Sequence, residues 1–151
     1  MIQRIQSVFL FVSLCFMVPM FFVPVAQLVF ETGEIFNFNL AGFSYTEVET
    51  TIHKNQYSLM LFGILICALN LIIIFMYKSR VLQIRLCIYN ILLLAGLTGV
   101  IIFSAYNVLN VQTVSFSLPV VFPIVAMILH YLAFRSIRKD EIMVQALSRL
   151  R

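Results

Sequence analysis

Four stretches of the chain, 5–28, 57–77, 86–106 and 116–134, are dominated by apolar residues and contain no Asp, Glu, Lys or Arg. Each is near the ~20 residues that an α-helix needs to cross a hydrocarbon core of about 30 Å. In lipid a segment must satisfy its backbone groups internally, which predicts four transmembrane helices. The connection 29–56 reads differently: Phe36, Phe38 and Leu40 alternate with Asn37 and Asn39, the period-2 pattern of a half-buried strand. Turn-forming residues flank it at Glu31 to Glu34 and at Ala41-Gly42. The pattern predicts a small β hairpin or meander in 29–56, to which "VQTVSF" in the last connection could add a strand. A two-stranded hairpin is marginal in water, so its apolar face needs cover from the helices or from a partner. After the fourth stretch, Met143, Ala146, Leu147 and Leu150 form an apolar stripe, with Arg138, Glu141, Gln145, Ser148 and Arg149 opposite. No Gly or Pro follows Ser136, so this amphipathic helix could continue the fourth stretch. The fold class expected is an all-α membrane protein. It is a single domain over 1–151: a four-transmembrane-helix bundle with a small sheet in the first extracytoplasmic loop and a C-terminal cytoplasmic amphipathic helix over 135–151.

Composition agrees with lipid as the main solvent. Hydrophobic residues make up 62% of the 151 and charged residues 11%, with mean hydropathy +1.04. The charges decide orientation. Nine of the ten basic residues fall on the side of the two termini, and only Lys54 lies opposite, beside Glu31, Glu34, Glu47 and Glu49. The positive-inside rule then places both termini in the cytoplasm. The basic pI of about 9.2 is a topology signal rather than a sign of nucleic-acid binding. Arg4 followed by an apolar run resembles a secretory signal, but the run is too long and no small-x-small site closes it, which predicts a retained span. Cys15, Cys67 and Cys87 sit in or at the edge of the predicted spans and read as packing residues.

Candidates for chemistry inside the membrane are few. His130, about a turn and a half from Arg135, reads either as a ligand-binding or proton-handling group or as a neutral ring bonded to a neighbouring helix. Asn70 and Asn90 suit hydrogen bonds between helices, and Ala95, Gly96 and Gly99 form a small-residue pattern that lets another helix approach, within the bundle or from a partner. Pro19 and Pro24, and Pro119 and Pro123, bend or frame helix ends. His53 lies on the other side of the membrane from His130, so no metal pair forms. No nucleophile and base grouping, metal-binding motif or phosphate loop is present in the sequence. The expectation is a protein that is not an enzyme and has no cofactor or metal.

The two ends carry the most specific pattern. The opening "MIQRIQSVFLF" and the closing "IRKDEIMVQALSRLR", with four spans between them, resemble a family of small four-span inner-membrane proteins of Bacteroidota catalogued as a domain of unknown function. Ile2, Gln3, Arg4 and Ile5 match its start, and Lys139, Asp140, Glu141, Val144, Arg149, Leu150 and Arg151 its end. Ser148 and Ala146 stand where that family more often has Asp and Ser. The resemblance implies the cytoplasmic (inner) membrane, with the loop 29–56 periplasmic, and implies no activity. The topology is also claudin-like by analogy, with a long first loop carrying strands, although the tryptophan motif and cysteine pair of that group are missing. The tail is expected to lie on the lipid surface, to pack on the connection 78–85 or to bind a partner, a membrane or cytoplasmic protein. Protein contact, within the chain or with that partner, is favoured because the stripe is short and Asp140 and Glu141 oppose anionic lipid. The candidate partner-binding residues are Arg138, Lys139, Asp140, Glu141, Met143, Leu147, Arg149, Leu150 and Arg151. The sequence therefore reads as a non-catalytic accessory or assembly subunit of a membrane complex. The alternative is a small transporter, channel or lipid- or small-molecule-binding protein using His130, Asn70 and Asn90.

Overall fold

Two prolines divide the first apolar stretch. Helix α1 spans Gln3–Met17 and tightens into a 3-10 turn, Val18–Phe21, with Pro19 at its start, where a missing N–H costs nothing. Phe22 and Val23 donate back to the Pro19 carbonyl, each at 3.0 Å. Pro24 then pushes its predecessor away from helical geometry, and Ala26–Phe30 forms a strand, β1. The expected helix over 5–28 is corrected accordingly: its last residues belong to a sheet. Their alternation was present in the sequence, with Ala26 and Leu28 buried and Gln27 exposed between them.

The structure is a computed structural model that describes residues 3–30, 35–40, 42–45, 54–55, 57–76, 79–106 and 111–149. The remaining strands are β2 (Ile35–Asn39), β3 (Gly42–Tyr45), β4 (Lys54–Asn55) and β5 (Val111–Phe116). All pair antiparallel in the order β4-β3-β2-β1-β5. β1 is thus an inner strand, paired with β2 through Ala26 and Phe38 and with β5 through Ala26 and Phe116. Val25 extends both pairings, donating to the Phe38 carbonyl at 2.7 Å and accepting from Ser117 at 2.9 Å. The sheet is larger than a hairpin within 29–56, because it recruits β1 from the end of the first apolar stretch and β5 from the last connection, where "VQTVSF" was expected to add a strand. Glu31, Glu34, Glu47, Glu49 and His53 lie outside the described residues.

Three further helices follow: α2 (Tyr57–Phe75), α3 (Arg80–Tyr106) and α4 (Phe122–Arg149). A 3-10 turn at Leu118–Val121, with Pro119 at its start, leads into α4. Three helical stretches are long and apolar enough to cross a membrane, Tyr57–Phe75, Val81–Tyr106 and Leu118–Val144, while Gln6–Phe21 is a shorter apolar helix. Helix α3 begins at Arg80, earlier than the expected 86, because a charge-free criterion cuts the span at Arg85 although the helix continues past it. At 28 residues α4 is about 42 Å long, more than a hydrocarbon core requires. The amphipathic tail is therefore the last part of α4 and not a separate helix.

Helix α4 packs against α1 and α3, and α2 against α3 and α1. The sheet rests its apolar face on the helices: Val25, Ala26, Leu28, Phe38 and Leu40 share one buried cluster with Met17, Met20, Leu59, Ile66, Leu94, Leu97, Ile101 and Ala126. Gly63 allows this docking. A Cβ there would stand 2.7 Å from Leu40 Cδ2 and 3.0 Å from Phe21 Cζ. A second cluster, Leu10, Ile73, Cys87, Ala133 and Ile137, occupies the other end of the helices.

Candidate functional site

Buried positions recur along every helix at alternating steps of three and four. In α1 and its 3-10 turn they are Gln6, Leu10, Ser13, Met17 and Met20, and in α2 they are Leu59, Gly63, Ile66, Asn70 and Ile73. In α3 they are Gln83, Cys87, Asn90, Leu94, Leu97 and Ile101, with Ala105 a further four residues on, and in α4 Pro123, Ala126, His130, Ala133, Ile137 and Asp140. This 3.5-residue period keeps one seam of each helix facing its neighbours. Small residues on the α4 seam, Ala126 and Ala133, are both fully buried, as expected where helices approach closely in lipid.

Each seam contributes one polar residue to a common level. Ser13, Asn70, Asn90 and His130 separate the two apolar clusters, and each has at most 1% of its surface exposed. Asn70 Nδ2 donates to Ser13 Oγ at 2.8 Å and, at 3.4 Å, to the Leu10 carbonyl. Ser13 Oγ donates to the same carbonyl at 3.1 Å. Across the other helix pair, Asn90 Nδ2 lies 2.8 Å from His130 Nε2, and His130 Nδ1 lies 2.9 Å from the Ala126 carbonyl. A carbonyl only accepts, so the proton sits on Nδ1 and Nε2 accepts from the Asn90 amide. Both ring nitrogens are thereby engaged. The bonds tie α1 to α2 and α3 to α4, each worth about 0.6 kcal/mol on average in membrane proteins and up to ~1.7. The amide oxygens of Asn70 and Asn90 are buried and have no hydrogen-bond partner among the described residues.

Two further polar contacts lie beyond the second cluster. Gln83 Nε2 donates to the Ile73 carbonyl at 3.1 Å, joining the start of α3 to the end of α2. Gln6 Nε2 donates to Asp140 Oδ2 at 2.8 Å, joining α1 to the end of the α4 seam. Sequence reasoning missed Gln6, Ser13 and Gln83. Their signal was the sevenfold spacing Gln6 to Ser13 and Gln83 to Asn90, which puts polar residues on the same seam.

The other expected site residues are distributed as follows. Asn70, Asn90 and His130 are at one level, but Asn70 bonds to α1 while Asn90 and His130 bond to each other. Ala95 and Gly99 are exposed, and a Cβ on Gly99 would meet nothing within 4 Å among the described residues. Gly96 is also exposed and lies near Phe62, which a Cβ would approach to 3.6 Å. In the tail, Arg138 and Lys139 are exposed and Glu141 is half-buried. Asp140 departs from the expectation of a partner-facing residue: it falls on the seam that runs through Ala133 and Ile137, and is only 8% exposed against Gln6. Beyond it Ile142, Met143 and Val144 are all exposed, at 57%, 41% and 48%. Leu147 and Arg149 are placed in the helix by their backbone, and Leu150 and Arg151 lie outside the described residues. Among the described residues, no group of three or more His, Cys, Asp or Glu could hold a metal ion.

The chain has no significant match among curated proteins of known function. Over residues 2–150 the chain matches, and belongs to, the family described as Domain of unknown function (DUF4293).

Proposed function

We propose that the protein is a non-catalytic accessory or assembly subunit of a membrane protein complex, seated in the cytoplasmic membrane, that docks a partner protein on the end of α4. The observation that carries this reading is the exposure of Ile142, Met143 and Val144 immediately past Asp140, the last residue of the buried seam. Apolar side chains on three successive positions of a helix project over more than half of its circumference, and here no part of the described chain covers them. Arg138 and Lys139, both exposed, sit at the base of this segment and mark the cytoplasmic boundary under the positive-inside rule. In this reading all four helices span. Helix α1 with its 3-10 turn, at 15 and 4 residues, reaches about 30 Å. Both termini are then cytoplasmic and the sheet lies on the opposite side.

The alternative, a small transporter, channel or lipid- or small-molecule-binding protein using His130, Asn70 and Asn90, would need a polar pathway or a cavity open to the surface. Ser13, Asn70, Asn90 and His130 instead bond to one another and to backbone, at no more than 1% exposure, which favours a structural interior.

The test is affinity capture from native membranes with an N-terminal tag, comparing the full chain with one ending after Glu141. That truncation keeps the Gln6 to Asp140 bond intact. The reading predicts a reproducible partner set that the truncated chain loses. The same partners on both chains, or none on the full chain, would overturn it.

A further inference from the structure

The polar level formed by Ser13, Asn70, Asn90 and His130 is unbalanced in its hydrogen bonding. Its donors are largely used: the hydroxyl of Ser13 and the amide nitrogens of both asparagines donate, and the ring donates through Nδ1. Its acceptors are not, since the Asn70 and Asn90 amide oxygens are both buried without a partner among the described residues. Turning either amide over does not repair this. Asn70 Nδ2 faces the Leu10 carbonyl, which can only accept, and Asn90 Nδ2 faces a ring nitrogen whose proton is fixed on the far side by the Ala126 carbonyl. Both orientations are set by acceptors, so the unmatched acceptors, two amide oxygens, outnumber the one donor left over, the second N–H of Asn90.

We propose that this level is an internal binding site for small neutral hydrogen-bond donors, with water as the resident, one donating to the amide oxygen of Asn70 and one to that of Asn90. A donor is required because acceptors are in excess, and a buried acceptor left unmatched is costly. The guest is small because the four side chains are closed from the surface. It is neutral because a cation buried here would have no opposing charge beside it among the described residues, which is far costlier than burying a dipole. The nearest carboxylate on the α4 seam, Asp140, is ten residues from His130, about 15 Å of helix rise, and is already bonded to Gln6. Internal water bonded to otherwise unmatched polar groups is a regular component of folded proteins.

The test is water-edited solid-state NMR on the full chain in lipid bilayers. Side-chain signals of Asn70 and Asn90 should receive magnetisation from water several-fold faster than the methyl groups of Ile66 and Leu94, one seam position away. Build-up no faster than at those methyls overturns the proposal. The nitrogen shifts of His130 provide a second readout: protonation at both ring nitrogens would mean that the Asn90 oxygen accepts from the ring, and would also overturn it. Thermal midpoints in sodium, potassium and choline salts should coincide. A rise specific to one metal cation would make the guest a cation and reject the neutral donor.

Discussion

At the scale of single residues, two glycines that look alike in sequence have opposite roles. Gly99 belongs to the small-residue pattern that suggested close helix packing, yet it faces outward with open space around it, while Gly63 sits in an apolar run with no such pattern and is the point of closest approach. Gly63→Val should destabilise the protein by about 1–3 kcal/mol, the range for overpacking a filled interior. Gly99→Val should stay within ±0.5 kcal/mol, as for exposed substitutions. Thermal unfolding in mild detergent measures both, and equal effects would contradict the placement of the two faces. The Asn90 and His130 pair offers a second residue-scale check. A double-mutant cycle with Asn90→Ala and His130→Ala should give a favourable coupling of roughly 0.6–1.7 kcal/mol, and additivity of the two substitutions would mean that the 2.8 Å contact contributes nothing.

At the scale of elements, the prolines explain where the hydrophobic pattern was and was not sufficient. An unbroken apolar run cannot by itself distinguish the end of a helix from a buried strand, so β1 was absorbed into the first predicted span. Pro19 and Pro24 held the missing information: the first starts the 3-10 turn, and the second ends the helical stretch two residues before the strand. Because β1 is hydrogen-bonded on both sides, Gln27→Pro should disrupt the sheet although Gln27 itself is exposed. A monodisperse variant with an unchanged midpoint would argue that β1 is not an inner strand. The polar candidates were legible in a different degree. Asn70, Asn90 and His130 could be singled out because polar groups in apolar spans are conspicuous. Their partners could not, since which helices adjoin is set by tertiary packing, and Ser13 is unremarkable until the seam is known. Asp140 was read as part of a charged surface because the stripe was phased on Met143 and Ala146; the buried phase is instead that of Ala133, Ile137 and Asp140.

At the scale of the whole molecule, the interior is filled by apolar side chains apart from one polar level, and three successive apolar residues, Ile142, Met143 and Val144, are exposed near the end of α4. The sheet covers one end of the helices, two apolar clusters fill their length, and one polar level divides the clusters. Apolar side chains exposed along α2 and α3, such as Leu61 and Leu92, are what lipid contact requires. Those at Ile142 to Val144 follow Arg135, Arg138 and Lys139, so in the proposed orientation they emerge past the basic boundary into water. Site-specific photo-crosslinking in living cells tests this claim most directly, with the photoreactive residue placed at Val144 and, as a lipid-facing control, at Leu92. The account predicts a discrete protein adduct from position 144, of a size reproducible between preparations, and none from position 92. Adducts from neither position, or equally from both, would contradict a docking surface at the end of α4.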